Sequence, residues 1–274
     1  MRELERDHLP SPLSATKLVI VGRGRVGGSL AKAGELAGID VRLARNDEAI
    51  AGAGAALLCV PDDAIAEVCA RVAEAAPPLV GHVSGAGTLD ALAAARECGS
   101  STFSLHPLQT FADGETAVGG TPAAVAGSDE TAVAYARSLA EALGMRPFEV
   151  PEESRAAYHA AAAMASNLLV ALEESAVELV ERLGIEDARE LLAPLVLRTA
   201  ANWAERGPAA LTGPIARGDQ ATVERHRAAL AETASELLPL YDALAARAKA
   251  VARDMRGGPA AEAEEPPVMR GVSA

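Results

Sequence analysis

The stretch KLVIVGRGRVGGSL, residues 17–30, decides how the rest of the chain is interpreted. Its apolar run at 18–21 predicts a buried strand, and the small and apolar residues that follow have helical spacing. Between them stands the pattern GxGxxG, which allows a tight turn, close approach of a pyrophosphate and close packing of helix on strand. We therefore predict a dinucleotide site formed by Gly22, Arg23, Gly24, Arg25, Val26 and Gly27. The alternative is a Rossmann turn that binds nothing and only links the strand to the helix.

The residues after the second predicted strand, at 40–44, indicate which dinucleotide binds. A site for NAD usually carries a carboxylate about 20 residues past the glycine turn, where it accepts a hydrogen bond from the ribose 2′-hydroxyl. This chain has Arg45 and Asn46 there, and a guanidinium can hold a 2′-phosphate with two hydrogen bonds. We therefore predict NADP(H) as the cofactor and consider NAD(H) the less favoured one. In the alternative interpretation Asp47 binds the ribose, and Arg45 is a solvated surface residue.

Strand and helix patterns alternate through the first half of the chain and then give way to helical patterns alone. This alternation predicts an α/β fold, with an N-terminal Rossmann doubly wound parallel sheet followed by an all-helical C-terminal domain. We place a flexible extension at 1–15, the dinucleotide-binding domain at 16–151, a helical substrate and dimerisation domain at 152–255 and a disordered tail at 256–274. The segment 152–183 lacks proline and glycine and is predicted to form one long helix.

Ligands bind outside the carboxyl ends of the strands in open α/β sheets, and several residues stand at such ends. Val60 and Pro61 end one apolar run and Ser84 follows the next, so we expect all three to contact the cofactor. His106 follows a short strand, and we expect it to contact substrate or nicotinamide and to serve in catalysis. The structural alternatives are a helix-capping loop for Ser84 and a loop residue that fixes the Pro107 turn for His106.

The first part of the predicted long helix carries a small set of polar side chains. Hydride transfer to a C=O or C=N group needs a proton donor near the heteroatom, and histidine titrates in a suitable range. His159 and Asn167 are eight residues apart, so on one helix they lie near the same face. We predict that His159 is catalytic or binds substrate, that Asn167 orients substrate or nicotinamide, and that Ser166 contacts substrate. The alternatives are a core or interface histidine bonded to backbone and an asparagine in a helix–helix hydrogen bond.

A second polar segment, LTGPIARGD at 211–219, separates two predicted helices. Its two glycines and its proline indicate a shaped loop, and such loops often carry function. We predict that Thr212 binds a substrate oxygen and that Arg217 pairs with a substrate carboxylate. Asp219 is expected to cap the next helix, as Asp62 or Asp63 is expected to do in the first domain.

Composition and charge exclude several kinds of partner. The formal net charge is −13, so a nucleic-acid partner is not expected. No apolar run reaches about 18 residues, which predicts no membrane span. The three cysteines have neither CxxC nor metal spacing, which indicates reduced thiols in the cytoplasm and no metal site. The expected partners are a small-molecule substrate and a second copy of the chain.

Six segments carry a resemblance to known proteins. They are VGRGRVGGSL at 21–30, CVPDDAI at 59–65, HVSGA at 82–86, SLHPLQTF at 104–111, YHAAAAMASN at 158–167 and LTGPIARGD at 211–219. Through them the chain resembles the 6-phosphogluconate-dehydrogenase-like reductases, which include pyrroline-5-carboxylate reductase and ketopantoate reductase. Within that group it is most similar to the Rossmann-like and DUF2520 domain-containing proteins, over about residues 17–230. The resemblance implies a nicotinamide-dependent oxidoreductase that forms a homodimer through its helical domain, and it makes a ketopantoate-like substrate the first to test.

The chain departs from that pattern at one position. Several relatives use a lysine, four residues before an asparagine, as general acid, whereas here Ala163 precedes Asn167 at that spacing. The three lysines are Lys17, Lys32 and Lys249, so the lysine mechanism does not transfer. Two functions follow. One is an NADP(H)-dependent oxidoreductase that reduces a small carbonyl or imine acid in the cleft between the domains. The other is a non-catalytic dinucleotide-binding sensor or regulatory protein of the same fold.

Overall fold

A computed structural model describes Leu13 and residues 16–46, 48 and 50–257 of this chain. Within this part of the chain, seven strands form one sheet in the order β2-β1-β3-β4-β5-β6-β7. The strands are β1 (Leu18–Val21), β2 (Val41–Ala44), β3 (Ala55–Leu58), β4 (Leu79–His82), β5 (Ser101–Pro107), β6 (Pro122–Gly127) and β7 (Arg146–Glu149). Every neighbouring pair is parallel except β5 and β6, which are antiparallel. The carboxyl ends of β1, β3 and β4 therefore share one edge of the sheet.

Helices cover both faces of this sheet. They are α1 (Arg25–Leu36), α2 (Ile65–Ala73), α3 (Ala93–Glu97) and α4 (Glu130–Ala142). Alternate residues of each strand enter opposite cores: Leu18 and Ile20 pack with α1 and α4, whereas Val19 and Val21 pack with α2. This arrangement confirms the predicted Rossmann fold with its doubly wound, mostly parallel sheet. Leu13 lies in the segment predicted to be a flexible extension, yet it is buried in the first of these cores.

The rest of the described chain is helical. It contains α5 (Arg155–Ala165), α6 (Asn167–Arg182), α7 (Ala188–Arg206), α8 (Gly213–Arg217), α9 (Gln220–Thr233) and α10 (Leu238–Gly257). The chain divides into two compact units after Ser166, so α5 belongs with the sheet and the helical unit begins at Asn167. The predicted boundary at 151 marks where the strands end. The predicted tail at 256–274 lies outside the described residues beyond position 257.

The prediction of one unbroken helix over 152–183 is wrong. A 3₁₀ turn, Glu152–Ser154, leads into α5, and Ser166 then takes φ −131° and ψ −83°, which is not helical. The Ser166 hydroxyl donates a hydrogen bond to the carbonyl of Ala162 at 2.8 Å. Such a bond to the preceding turn competes with the backbone ladder and bends helices. His159 and Asn167 therefore stand on different helices, and the prediction that they share one helix face is wrong.

The same stretch is apolar over much of its length. Glu152–Arg182, with a mean hydropathy of 1.2, is the one stretch in the described ranges that is long and apolar enough to cross a membrane, by length and composition. A single stretch of this kind is weak evidence for a span, and this one bends at Ser166. Only 6 % of its apolar window is buried, so these helices present an apolar surface.

Candidate functional site

The glycine turn has the geometry that its sequence predicts. Gly22 has φ +116°, where side chains are strained, and a Cβ at Gly27 would overlap the carbonyl oxygen of Gly22. At Gly24, by contrast, a Cβ would find no described atom within 4 Å. The turn is therefore closed where helix and strand meet and open at the position through which a pyrophosphate approaches. Val26 follows in the first turn of α1, while Arg25 is exposed as the first residue of that helix.

Arginines surround the end of β2 beside this turn. Arg23 of the glycine turn pairs with Glu48 at 3.1 Å, and Arg42 of β2 lies 3.7 Å from the other oxygen of that carboxylate. Arg45 is exposed immediately after β2. Asp47, the alternative ribose ligand, lies outside the described residues. The sequence interpretation missed the ion pairs that Glu48 makes with Arg23 and Arg42.

A cavity of about 300 Å³ lies next to the glycine turn, at the carboxyl ends of the strands. It is lined by Val26, Val60, Asp62, Val83, Ser84, Gly85, His106, Pro107, Gln109, Phe111 and His159. Four predicted cofactor or catalytic residues thus share this cavity with Val26: Val60, Ser84, His106 and His159. Pro61 is exposed beside it and is not part of its lining.

The loop after β4 is held by hydrogen bonds that start from His82. His82 is fully buried, its Nε2 lies 3.2 Å from the carbonyl of Thr88, and its Nδ1 accepts from the backbone N–H of Ser84. The Ser84 hydroxyl donates to Asp62 at 2.8 Å and accepts from the N–H of Gly87. The predicted cap by Asp62 is therefore wrong, because its carboxylate is turned toward Ser84. In the described chain neither it nor Asp63 caps a helix through its side chain.

Two histidines converge on the backbone of Gly85. A Cβ there would lie 2.6 Å from Nδ1 of His159 and 2.7 Å from Nε2 of His106. The other ring nitrogen of His106, Nδ1, forms a 2.8 Å hydrogen bond with the Tyr158 hydroxyl. Among the described residues, the buried Nδ1 of His159 has no hydrogen-bond partner. Sequence alone predicted both histidines but not that they meet at one point.

The environment of His106 keeps its imidazole neutral. Burial lowers the pKa of His106 to about 4, and the charges of His159, Arg155 and His82 act in the same direction, while Asp62 opposes them. Burial and Arg155 likewise lower the pKa of His82 to about 4. Both rings are therefore uncharged near neutral pH. If Tyr158 donates its hydroxyl proton to His106, the ring carries its own proton on Nε2, which is the nitrogen next to Gly85.

Arg155 stands behind this constellation, at the start of α5. It is 0 % exposed, and its guanidinium donates to the Ser104 hydroxyl and to the Ser84 carbonyl, both at 2.9 Å. Glu152 lies 3.8 Å from the same guanidinium. The sequence interpretation missed this residue. A signal was present, because Arg155 precedes Tyr158 and His159 by three and four positions and so shares their helix face.

Three of the predicted substrate contacts, together with the catalytic candidate Asn167, lie at or beyond the division between the units. Ser166 ends α5 with its hydroxyl bonded to Ala162, and Asn167 begins α6. Thr212 stands before α8, a short helix within the segment predicted to be a loop, and Arg217 is its last residue. The structure does not test the roles of these residues, which stay predictions.

Asp219 follows in the same segment. Its carboxylate accepts hydrogen bonds from the backbone N–H and the hydroxyl of Thr222, so it caps α9 as expected. His226, in the same helix, bonds to the Tyr241 hydroxyl at 2.9 Å. Across the described ranges, no group of three or more histidine, cysteine, aspartate or glutamate side chains is arranged to hold a metal ion.

Comparison with known families supports the resemblance drawn from the sequence motifs. Residues 121–248 match the family described as "Domain of unknown function (DUF2520)". The matched region spans the last strands of the sheet and most of the helical unit. No curated protein sequence matches this chain.

Solved structures share the fold over most of the chain. Protein TM1727 from Thermotoga maritima is 25% identical with a TM-score of 0.71, over 87% of this chain and 99% of that one. A Bacteroides fragilis protein, BF3122, provisionally described as an NADP oxidoreductase, is 22% identical with the same TM-score and coverage. The Plasmodium falciparum pyrroline carboxylate reductase, solved with NADP bound, is 16% identical with a TM-score of 0.55, over 88% of this chain and 99% of that one. These likenesses establish the shared fold.

Proposed function

We propose that this chain, a Rossmann unit joined to a helical unit, is an NADP(H)-dependent oxidoreductase that reduces a small carbonyl or imine acid. One observation carries the proposal: Val26, next to the glycine turn, lines the same cavity as His106 and His159. A dinucleotide held by the turn would thus direct its reactive end toward two residues able to handle a proton. Similar structures include one solved with NADP bound and one provisionally described as an NADP oxidoreductase, which supports this cofactor.

The residues around the turn fit NADP(H). The open space at Gly24 and the positive φ of Gly22 suit a pyrophosphate, and Arg23 and Arg45 lie where a 2′-phosphate needs cations. Val60 and Ser84, which line the cavity, would contact the cofactor, Ser84 at the nicotinamide ribose. The bound cofactor supplies the hydride, and every other requirement falls on side chains of the protein.

The two histidines divide the remaining work. His106 is neutral, and with Tyr158 donating to its Nδ1 it offers an Nε2–H that can hold the substrate oxygen or nitrogen. We assign proton donation to His159 for two reasons. Its Nδ1 has no hydrogen-bond partner among the described residues, and the residue lines the same cavity as His106. Histidine in this position replaces the lysine that the sequence lacks. Ser166, Asn167, Thr212 and Arg217 remain predicted contacts of the substrate.

A homodimer through the helical unit is part of the proposal. Large apolar side chains of that unit are exposed, among them Leu195 at 64%, Leu197 at 71% and Trp203 at 65%. Apolar patches of this kind mark protein interfaces, and aromatic residues are enriched in them. A second copy of the chain would cover this surface.

Nucleotide titration tests the cofactor assignment. We expect the wild-type protein to bind NADPH more tightly than NADH. Arg45→Ala should weaken NADPH about tenfold and leave NADH nearly unchanged, because one charge-assisted contact to a phosphate is lost. Equal affinities in the wild type, or an unchanged preference in the variant, would show that Arg45 does not bind a 2′-phosphate.

A substrate panel tests the activity. Ketopantoate, other 2-keto acids and cyclic imines are offered with NADPH, and its oxidation is followed by absorbance. His159→Gln should lower the rate about 100-fold on any substrate found, which is the usual contribution of a general acid. His106→Gln should lower it by about the same factor, because a hydrogen-bond donor to the substrate is lost. Tight NADPH binding without turnover across the panel would instead support the sensor function.

A further inference from the structure

Arg155 is the largest fully buried side chain in the described part of the chain. Arginine is almost never fully buried unless it is paired, and this one is paired only in part. Nη1 donates to Ser104, Nη2 donates to the Ser84 carbonyl, and Nε has no hydrogen-bond partner among the described residues. The Oε1 atom of Glu152, 3.8 Å away, also lacks a hydrogen bond there. A buried cation in such an arrangement is costly for stability, so its retention calls for another explanation.

We propose that Arg155 is a positioning residue of the oxidoreductase site, which fixes the Ser84–Gly85 segment against both histidines and places a permanent positive charge near His106. The inference rests on the proposed function, because it concerns the same cavity. It assigns a role to a residue that does not itself line the cavity but binds the carbonyl of Ser84, which does.

Three elements of the Rossmann unit meet at the guanidinium of Arg155. Arg155 belongs to α5, Ser84 follows β4, and Ser104 lies on β5 two positions before His106. The carbonyl that Arg155 holds belongs to the residue directly before Gly85. A shift of that peptide would alter the approach of Gly85 to both ring nitrogens, since even a Cβ added at Gly85 would lie within 2.7 Å of each.

Helix geometry links the contacts of Arg155 to other residues of α5. Positions three and four residues further along a helix lie on the same face. Tyr158 and His159 therefore project from the same side of α5 as Arg155, and they reach His106 and Gly85. One fixed guanidinium thus sets the distance of α5 from the sheet edge, and with it the position of His159 relative to His106 on β5.

The electrostatic part concerns the groups that face His106. Arg155 and His159 come from α5, His82 from β4 and Asp62 from the turn after β3. Burial is the largest cause of the low pKa of His106. The charges of His159, Arg155 and His82 also disfavour a charged imidazole, and Asp62 favours it. Arginine stays protonated at every pH of interest, so the positive charge of Arg155 is present throughout the titration of His106. Its removal should raise the pKa of His106.

The test replaces Arg155 in the full-length protein and reads the ring directly. Arg155→Met removes the charge and keeps the aliphatic stem, Arg155→Lys keeps the charge, and Arg96→Met removes an exposed arginine of the same unit as a control. The protein is labelled with ¹⁵N in histidine, and each imidazole is titrated by NMR, with His106→Gln identifying the signal. NADPH affinity is measured in parallel.

We expect Arg155→Met to raise the pKa of His106 by about one unit and to weaken NADPH several-fold. Arg155→Lys should leave the pKa near its wild-type value, and Arg96→Met should change neither quantity. An unchanged His106 pKa in folded Arg155→Met would overturn the proposal, because a purely structural residue would leave this ring unaffected.

If Arg155→Met does not fold, the Ser104→Ala variant tests the positioning role of Arg155 instead. That variant keeps the charge and removes one anchor of the guanidinium, so NADPH affinity should fall while the pKa of His106 stays. Unchanged affinity would overturn the positioning role. The imidazole titration needs neither cofactor nor substrate, so its failure is separate from a failure of wild-type NADPH binding, which would overturn the proposed function instead.

Discussion

The Rossmann unit and the helical unit bury their apolar residues in different ways. In the Rossmann unit, strands contribute leucine, valine and isoleucine side chains that are 0 % exposed, such as Leu18, Ile20 and Leu57. In the helical unit the buried apolar residues of the described chain are Val177, Ala188, Val223, Leu230, Ala234, Ala245 and Ala252. More than half of them are alanines, while Leu191 and Leu195 stay exposed at 59% and 64%.

This difference shows what each unit needs from its surroundings. A sheet covered on both faces encloses its own core, so the Rossmann unit can hold polar side chains rigidly at one edge. Helices that bury mainly alanine gain little from burial, because about 25 cal/mol per Å² on so small a side chain is a small contribution. The helical unit therefore leaves several leucines exposed, and the proposed homodimer would cover them.

The largest expected effect tests how tightly the Rossmann unit is packed. Gly27→Ala should lower the free energy of unfolding by about 3 kcal/mol or more, because its Cβ would overlap the Gly22 carbonyl. The matched variant is Gly24→Ala, where the Cβ meets open space. It should cost no more than about 1 kcal/mol, the usual effect of alanine at a helix N-cap, yet weaken NADPH more than about tenfold.

Urea unfolding and NADPH titration measure the two quantities. Wild-type stability in Gly27→Ala would contradict the close packing of turn and helix. Wild-type affinity in Gly24→Ala would show that the pyrophosphate does not approach there.

The second prediction addresses the exposed leucines of the helical unit. Leu195→Glu should lower the association constant of the proposed homodimer about 100-fold, because a carboxylate would have to be buried in an apolar interface. Leu36→Glu places the same charge on an exposed leucine of the Rossmann unit, 83% exposed, and should leave the assembly unchanged. Sedimentation equilibrium over a concentration series measures both. Equal behaviour of the two variants would remove the contrast between the units.

The third prediction concerns the pH range in which each unit loses stability. The folded-state pKa of His82 and of His106 is about 4, below the 6.5 of an unfolded histidine. Between these values only the unfolded chain takes up protons, so stability is lost as pH falls from about 6.5 towards 4. The loss at about pH 5 should be about 1–2 kcal/mol per histidine.

Carboxylates of the helical unit respond in a lower range. Hydrogen bonds with Thr222 lower the pKa of Asp219, and hydrogen bonds with backbone and Arg182 lower that of Glu236, so their contributions are lost only below their ordinary values of 3.8 and 4.5. Hydrogen exchange should therefore show β4 and β5 opening at a higher pH than α9. His106→Gln should reduce the pH dependence of β5, and exchange that rises equally in both units would contradict the difference.

The smallest expected effect concerns features that both units share. Asp129 accepts a bond from the N–H of Ala132 at the start of α4, as Asp219 does from Thr222 at the start of α9. Asp129→Ala and Asp219→Ala should each lower Tm by a few degrees, because one cap is lost in each case. The asparagine variants retain an acceptor and should lose less. A much larger effect in one unit would mean that its helix also depends on the cap for packing.

Sequence alone was sufficient for several features whose physics is local. The GxGxxG turn, the alternation of strands and helices and the Asp219 cap each depend on residues within a few positions of one another. Fold class and glycine-turn geometry were therefore predicted correctly, and His106 and His159 could be singled out as residue types fit for proton transfer. The break at Ser166 was missed, since an alanine-rich stretch without proline or glycine gives no sign of it.

Only the tertiary structure decided which side chains meet. Tyr158 and His106 are 52 positions apart, and Asp62 turns from the expected cap to Ser84, 22 positions away. Arg155 is invisible as a site residue until α5 packs against β4 and β5 and buries it. The glycine turn and the element pattern depend on backbone preference, which each residue carries with it. The partners and the pKa of a buried group depend on distances and desolvation, which arise only when the chain has folded.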